Sequence, residues 1–471
     1  MTPQPSLSGL RGRMAAASPL ETFGRVSDLI GLIVAVRGLK ADLGELCTIH
    51  VPGRDEPMMA EVVGFRHRET LIMPLGDLEG IGPGAPVAAT GRRFEVRVGS
   101  HLLGRVLDGL GRPMDDGGPI SHGEWRSVEA SPPNPMRRGA IEQRMRLGVR
   151  AMDTLIPCGL GQRLGIFAGS GVGKSSLLGM IARYASADIN VICLVGERGR
   201  EVQEFINRDL GPDGLNRSVV VCATSDRPAL ERIKAVLVAT TIAEHFRDQG
   251  ANVLLMCDSA TRLAMAQREV GLAVGEPPAT RGYPPSVWAM LPQVLERAGA
   301  TLTGSITALY TVLVEGDDMN EPISDAVRAI LDGHVVLKRE LAHRNHYPAI
   351  DVLESISRLN GVLLSDPVKH AGGQLRETMA AYKAKEDLIS IGAISPGADP
   401  LLDYAIAKQP QINEFLRQRT EEPTEAEHAD QWLVDMMSDR AQAVQAAAGH
   451  AQPPGAPAPA GDEPAIPRLG I

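Results

Sequence analysis

Four side chains have the types and settings needed for chemistry on a phosphate ester: Lys174, Ser175, Glu197 and Asp258. Lys174 and Ser175 close the run Ala168-Gly169-Ser170-Gly171-Val172-Gly173-Lys174-Ser175, with Ser176 next. The glycines at 169, 171 and 173 permit φ > 0 and let successive backbone N–H groups turn inward as a nest for phosphate oxygens, at the positive end of a following helix. Lys174 then reaches the β- and γ-phosphates and the Ser175 hydroxyl ligates Mg²⁺. The strict pattern opens on Gly, so Ala168 is a small-for-small departure. The plainer alternative is a Gly-rich turn carrying a surface lysine.

The elements needed to position these groups are legible on either side. Arg163-Leu164-Gly165-Ile166-Phe167 reads as a short buried strand, and Ser175 to Tyr184 has helical spacing. That strand–loop–helix context is what the motif requires. The run Asn252-Val253-Leu254-Leu255-Met256-Cys257-Asp258 is apolar and closed by an acid, the pattern of a buried parallel strand presenting a carboxylate at its C-terminal edge. Asp258 suits the water shell of Mg²⁺. Val191 to Val195 repeats the design and puts Glu197 and Arg198 at the strand tip, where Glu197 can polarise an attacking water. A helix N-cap or a solvated strand end is the ordinary fate of a lone acid.

At 471 residues the chain exceeds one core and implies two or three domains. Acidic residues outnumber basic ones, 57 to 48, and aromatics are 3 %, which leaves neither a basic footprint nor stacking platforms for nucleic acid. Five cysteines, at 47, 158, 193, 222 and 257, sit mostly in apolar runs without CxxC spacing, and read as reduced core residues. The 11 histidines form no ligand-spaced cluster; His343 and His346 read as surface or loop residues. No apolar run approaches the roughly 18 residues of a membrane span, so a cytoplasmic protein reaching the membrane only through partners is expected.

Along the chain, residues 1–22 are polar, with Leu7, Leu10, Met14 and Ala17 at roughly helical spacing. Residues 23–93 alternate as brief strands, Leu29 to Val36, Leu46 to Val51 and Met59 to Gly64, suggesting a small barrel or sandwich. Residues 94–364 alternate strands with helices, including Pro228 to Gln249 with one apolar stripe of Leu230, Ile233, Leu237, Thr240, Ala243 and Phe246, and so predict an α/β fold around a mostly parallel sheet. Residues 365–448 read as helical with breaks at Pro396 and Pro410, and 449–471 as an Ala/Pro-rich tail too poor in core residues to fold.

Taken as an ordered set, several segments resemble the type III protein-export ATPases, relatives of the catalytic β subunit of rotary ATP synthases. They are 168–175, Gly196-Glu197-Arg198-Gly199-Arg200-Glu201, Asp258-Ser259-Ala260-Thr261-Arg262, Gly282 to Val287, Glu315 to Pro322, His346 to Asp351 and Ser355-Ile356-Ser357-Arg358. Asp317 to Ile323 and Asp387 to Pro396 look most like the flagellar branch, with the injectisome branch as runner-up. The resemblance spans about Gly24 to Gln418. It implies an N-terminal β-barrel, a RecA-like P-loop core and a C-terminal helical domain.

The resemblance also implies roles. Lys174 and Ser175 serve phosphate and Mg²⁺, Glu197 activates water, and Asp258 holds the metal's outer shell. Arg198 and Glu201 belong to the surrounding polar network, Tyr347 packs on adenine, and Arg358 is pushed toward the γ-phosphate of a neighbouring subunit. An arginine fork suits charge spread over equatorial phosphate oxygens. One chain holding Lys174, Glu197 and Arg358 together implies a homohexamer hydrolysing ATP. The implied partners are a stator-like regulator at residues 1–22, an axle-like central stalk at the 282–287 and 315–322 loops, substrate–chaperone complexes and an export gate, at the inner face of the cell membrane. Acidic Asp317 and Asp318 could contact a basic axle-like partner or, equally, cap a helix. The rivals are a rotary synthase-type subunit, an RNA helicase, for which 23–93 offers only Phe23 and Phe65, and a nucleotide-holding subunit without turnover, against which Glu197 argues.

Overall fold

The computed structural model describes residues 23–450 except 315, 317, 395, 396 and 398. The leader 1–22, Pro396 and residues 451–471 therefore lie outside the described residues.

Strands β1 (Phe23–Ile30), β2 (Ile33–Arg37), β3 (Glu45–Ile49), β4 (Met58–Arg66), β5 (Glu69–Pro74) and β6 (Pro86–Arg93) close into a barrel in the order β1-β2-β5-β4-β3-β6. The expected single run from Leu29 to Val36 is instead a hairpin. Ile30 pairs with Ile33 around Gly31, whose φ of 59° supplies the tight turn, and the apolar Leu32 beside it disguises the break. β5 and β6 lie outside the three runs that alternation picks out.

The remaining strands are β7 (Glu95–Val98), β8 (Val106–Asp108), β9 (Glu124–Ser127), β10 (Arg144–Met145), β11 (Cys158–Gly159), β12 (Arg163–Ala168), β13 (Ile189–Val195), β14 (Ser218–Ala223), β15 (Asn252–Asp258), β16 (Gly299–Ala300), β17 (Ser305–Leu313), β18 (Gly333–Leu337) and β19 (Ile350–Ser357). β7–β9 and β10–β11 are two-stranded; the central sheet runs β19-β18-β12-β17-β15-β13-β14-β8, with β16 paired to β17. From β18 to β8 every pairing along this path is parallel, and β19 runs antiparallel to β18. Alternate side chains feed opposite cores. Val191, Cys193, Val253 and Leu255 join the helix Ala229–Asp248, whereas Ile192, Leu194, Leu254 and Met256 join the helix Lys174–Tyr184. Burial on both faces is why these strands read as unbroken apolar runs.

Helix Ala229–Asp248 carries no single stripe: Glu231, Lys234, Glu244, His245 and Arg247 are buried along with its apolar residues. Strands β13, β14 and β15, β7 and the helix Ala260–Val274 all lie against it, so nearly every side faces protein. The C-terminal part holds helices Asp366–Ala384, Pro400–Leu416 and Ala426–Met437 with two shorter companions. Pro410 does not break the second of these but sits inside it. The carbonyl it leaves unbonded belongs to Ile406, an exposed residue open to water. All five cysteines are free and buried, as their apolar settings imply. Among the described residues no helix is long and apolar enough to cross a membrane.

Candidate active site

The parallel strands deliver their C-terminal ends to one edge of the sheet, the edge at which open α/β sheets bind ligands. β12 ends at Ala168, and the glycine-rich loop passes straight into the helix Lys174–Tyr184. Left-handed conformations fall at Gly171 (φ 77°) and Gly173 (φ 92°), not at all three glycines. Val172 is buried as the loop's anchor, while Ser170 and Ser175 are exposed at its mouth and Ser176 is half-buried.

Three predicted groups converge here. Lys174 Nζ lies 2.5 Å from Asp258 Oδ1 and 3.7 Å from Glu197 Oε1. Asp258, at the end of β15, is 4 % exposed and also accepts a 2.7 Å hydrogen bond from Thr311 Oγ1 on the adjacent β17. Glu197 follows the end of β13 and is half-buried, and its pKa is raised. Burial is the larger cause, opposed by the Lys174 ammonium and reinforced by the neighbouring carboxylates of Asp258 and Glu201. Arg262 also draws it down, from one helical turn past Asp258, its Cδ against the site where a Gly196 side chain would begin.

Thr311 and Arg262 are the polar neighbours that sequence reading missed. Arg262 belongs to a quoted run and could have been read by its helical offset from Asp258; Thr311 depends on cross-strand register and has no local signal. Arg198 opens the helix Gly199–Glu204 with a largely exposed side chain, 3.4 Å from Glu201 Oε1.

A cleft of about 1320 Å³ opens beside the loop, between the helix Lys174–Tyr184 and the C-terminal helices, lined by Gly173, Ser176, Tyr347, Gln409, Asn413 and Thr420 among others. The Tyr347 ring stands over the loop: a side chain at Gly173 would place its Cβ 3.5 Å from Tyr347 Cδ1 and Cε1. His346 is a loop residue, as expected, but not a surface one. It is buried, and desolvation, with the Arg417 guanidinium, lowers its pKa to about 4.

Arg358 is exposed and lies at the other edge of the sheet. Its backbone N–H donates to Asp332 O, and Asp332 N–H donates to Arg163 O, so it is level with the first residue of β12. At roughly 3.3 Å per strand residue, that places it about 17 Å from the loop that follows Ala168. Asp318 does not cap the helix Pro322–Ile330; Glu321 does, accepting from Ser324 N–H, while Asp318 accepts from Asn320 N–H within the turn.

Comparison with known proteins places this geometry in a family. Residues 148–357 match the nucleotide-binding domain of the ATP synthase alpha/beta family, 26–91 match that family's beta-barrel domain, and 365–435 match the T3SS EscN ATPase C-terminal domain. The flagellum-specific ATP synthase of Bacillus subtilis (strain 168) is 53 % identical over 85 % of this chain and 92 % of its own length. The type 3 secretion system ATPase of Xanthomonas euvesicatoria is 49 % identical over 91 % and 97 %. Among solved structures, the assembled ATPase EscN from the enteropathogenic E. coli type III secretion system superposes with a TM-score of 0.84 at 48 % identity, covering 88 % of this chain and 99 % of that one. EscN in complex with its central stalk EscO gives 0.81 at 47 % identity, with the same coverage. The chain belongs to the ATP synthase alpha/beta family, in the group that holds the flagellum-specific ATP synthases and the type 3 secretion system ATPases.

Proposed function

We propose that this ATPase drives flagellar type III protein export as a ring of identical subunits, releasing substrates from their chaperones and delivering them to an export gate. The observation that carries the ring is the placement of Arg358. It sits at the sheet edge opposite its own phosphate loop, exposed, and can serve a γ-phosphate only in a neighbouring subunit.

In each site the loop N–H groups of 169–175 and Lys174 hold the phosphates, and Tyr347 carries the adenine. Glu197 takes the proton of the attacking water, a task to which its raised affinity for protons is suited. Arg358 of the partner subunit braces the charge of the transition state. Arg198 and Glu201 hold the polar surroundings of Glu197.

The residues present fit Mg²⁺: Ser175 offers a hydroxyl and Asp258 a carboxylate, both hard oxygen donors. No group of three or more His, Cys, Asp or Glu side chains among the described residues could hold a metal by itself. Such a sparse protein donor set suits an ion completed by phosphate oxygens and water. Mg²⁺ bound there neutralises phosphate charge.

Mixing tests the ring. Arg358→Ala subunits and Lys174→Ala subunits are each expected to be inactive, and mixed rings should regain ATPase activity wherever an intact Lys174 meets an intact Arg358. Arginine fingers are worth about 10³- to 10⁵-fold, so partial rescue is readable. Mixed rings with no recovery would overturn the reading in trans.

The flagellar assignment rests on the likeness of Asp317 to Ile323 and Asp387 to Pro396. A deletion strain should lose motility while retaining any injectisome secretion. Residues 1–22 are proposed to dock a stator-like regulator, and the 282–287 and 315–322 loops an axle-like stalk. Deleting 1–22 should abolish co-purification with the regulator and leave basal hydrolysis intact.

A further inference from the structure

The backbone of Tyr347 is tied to a segment of the C-terminal region. Its carbonyl accepts a 2.9 Å hydrogen bond from the backbone N–H of Gln418, two residues past the helix Pro400–Leu416. Gln418 is 5 % exposed, and both ends of its amide are hydrogen-bonded. Oε1 accepts from Arg150 N–H at 2.8 Å, and Nε2 donates to the carbonyls of Gly148 and Glu422, also at 2.8 Å. No other side chain of similar volume offers one acceptor and two donors at that reach.

Arg150 fastens the same segment from the nucleotide domain. Its guanidinium donates to the carbonyls of Phe415 and Arg417 at 2.8 and 2.5 Å and to Glu422 Oε1 at 2.8 Å, and stacks 4.6 Å over the Trp432 ring. From the end of the phosphate-loop helix, Arg183 donates to Thr420 O at 2.6 Å.

We propose that Gln418 is a positioning residue for the nucleotide base: it fixes the backbone of Tyr347 so that the ring stands over Gly173, and thereby sets affinity for the base without touching it. This rests on the reading of Tyr347 as the base platform. The phosphate loop itself, 169–175, shares no hydrogen bond with Gln418, so the two contributions to binding are separable.

Inorganic tripolyphosphate carries the phosphates without the base, and its magnesium salt is the probe. In full-length Gln418→Met, KM for MgATP should rise about tenfold, the lower end of what base–aromatic stacking contributes, while kcat and the inhibition constant of tripolyphosphate stay within about twofold. Tyr347→Ala should show the same split. The double variant should be no weaker than Tyr347→Ala alone, because the two act through one contact.

A tripolyphosphate constant that rises in step with KM, or losses that add in the double variant, would overturn the proposal. Should Gln418→Met fail to fold, Arg150→Lys loosens the same segment and must give the same split. If tripolyphosphate does not compete with ATP in the wild-type protein, the phosphate-loop reading fails instead, independently of Gln418.

Discussion

At the junction between barrel and nucleotide domain, β2 is buried on both faces: Val34 and Val36 fill the barrel, while Ile33 and Ala35 join the core built on the helix Ala229–Asp248. The polar contact there is a dry ion pair, Lys234 Nζ to Glu61 Oε2 at 2.5 Å, with side chains 3 % and 9 % exposed. The junction with the C-terminal helices is built otherwise. Alongside a shared apolar core it relies on hydrogen bonds from the Gln418 amide and the Arg150 guanidinium to backbone carbonyls, joined by the part-exposed ion pairs Arg150–Glu422 and Arg144–Asp430, and it encloses the cleft in which Tyr347 stands. A cleft of about 990 Å³ lined by Leu46, Met59 and Phe94 opens near the first junction too, but it lies away from the glycine-rich loop, and the junction owes its strength to burial; the second wraps the cleft beside that loop in directional bonds. Damage to the first should therefore read out as stability, and damage to the second as nucleotide affinity.

An effect larger than damage to either junction is expected at Glu197. Glu197→Gln should lower kcat by about 10²- to 10⁴-fold while leaving KM and the melting temperature close to wild type, since the amide keeps shape and loses the ability to take a proton. In the wild-type protein the rate should fall as pH drops through the Glu197 pKa, and burial puts that limb above the ordinary glutamate value of 4.5. A pH–rate profile of the wild type without such a limb would move the base elsewhere, Glu201 being the next carboxylate.

Next comes the ion pair. Lys234→Ala leaves Glu61 buried without its partner and should cost about 3–5 kcal/mol in denaturant unfolding, with KM for ATP unchanged in the protein that remains folded. Replacing both partners, Lys234→Met with Glu61→Met, should recover most of that loss, because apolar groups of similar volume avoid the desolvation that the charges suffer. Failure of the double replacement to recover would mean that the pair, and not the surrounding apolar surface, specifies how the barrel docks.

What could be read in advance followed from how local each signal was. The strand–loop–helix around residues 168–175, the strands leading to Glu197 and Asp258, and the helix Ala229–Asp248 are contiguous patterns, and the structure forms each of these elements where its pattern lies, although that helix is buried nearly all round and lacks the single stripe expected of it. The convergence of Lys174, Glu197 and Asp258 follows once three parallel strands share an edge. Thr311 and Gln418 were invisible because their partners lie 53 and 71 residues away, at Asp258 and Tyr347, in register or loop geometry that composition does not encode. Gly31 was misjudged because a turn flanked by Ile30 and Leu32 lacks the polar residues that usually mark one. His346 is a loop residue as expected, and only its burial has no local signal, because what packs over a loop comes from distant parts of the chain.

The smallest predicted effect also sharpens the comparison, because it asks whether the barrel junction behaves as dry. Glu61 has its pKa raised, chiefly by burial, with Lys234 as the main influence holding it down. Lys234→Met removes that restraint, so the folded-state pKa rises further above its value in the unfolded chain. A carboxyl whose folded pKa is raised binds more protons in the native state across the window between the two values, so stability is lost as pH rises through it. The variant should therefore unfold at higher denaturant at pH 5 than at pH 7.5, by up to about 1.4 kcal/mol for each unit of added shift. Lys234→Met with Glu61→Met should show no such added slope. A single variant whose stability is flat over this range would show that water reaches Glu61, and the contrast between a dry junction and a ligand-holding one would then rest on the apolar faces of β2 alone.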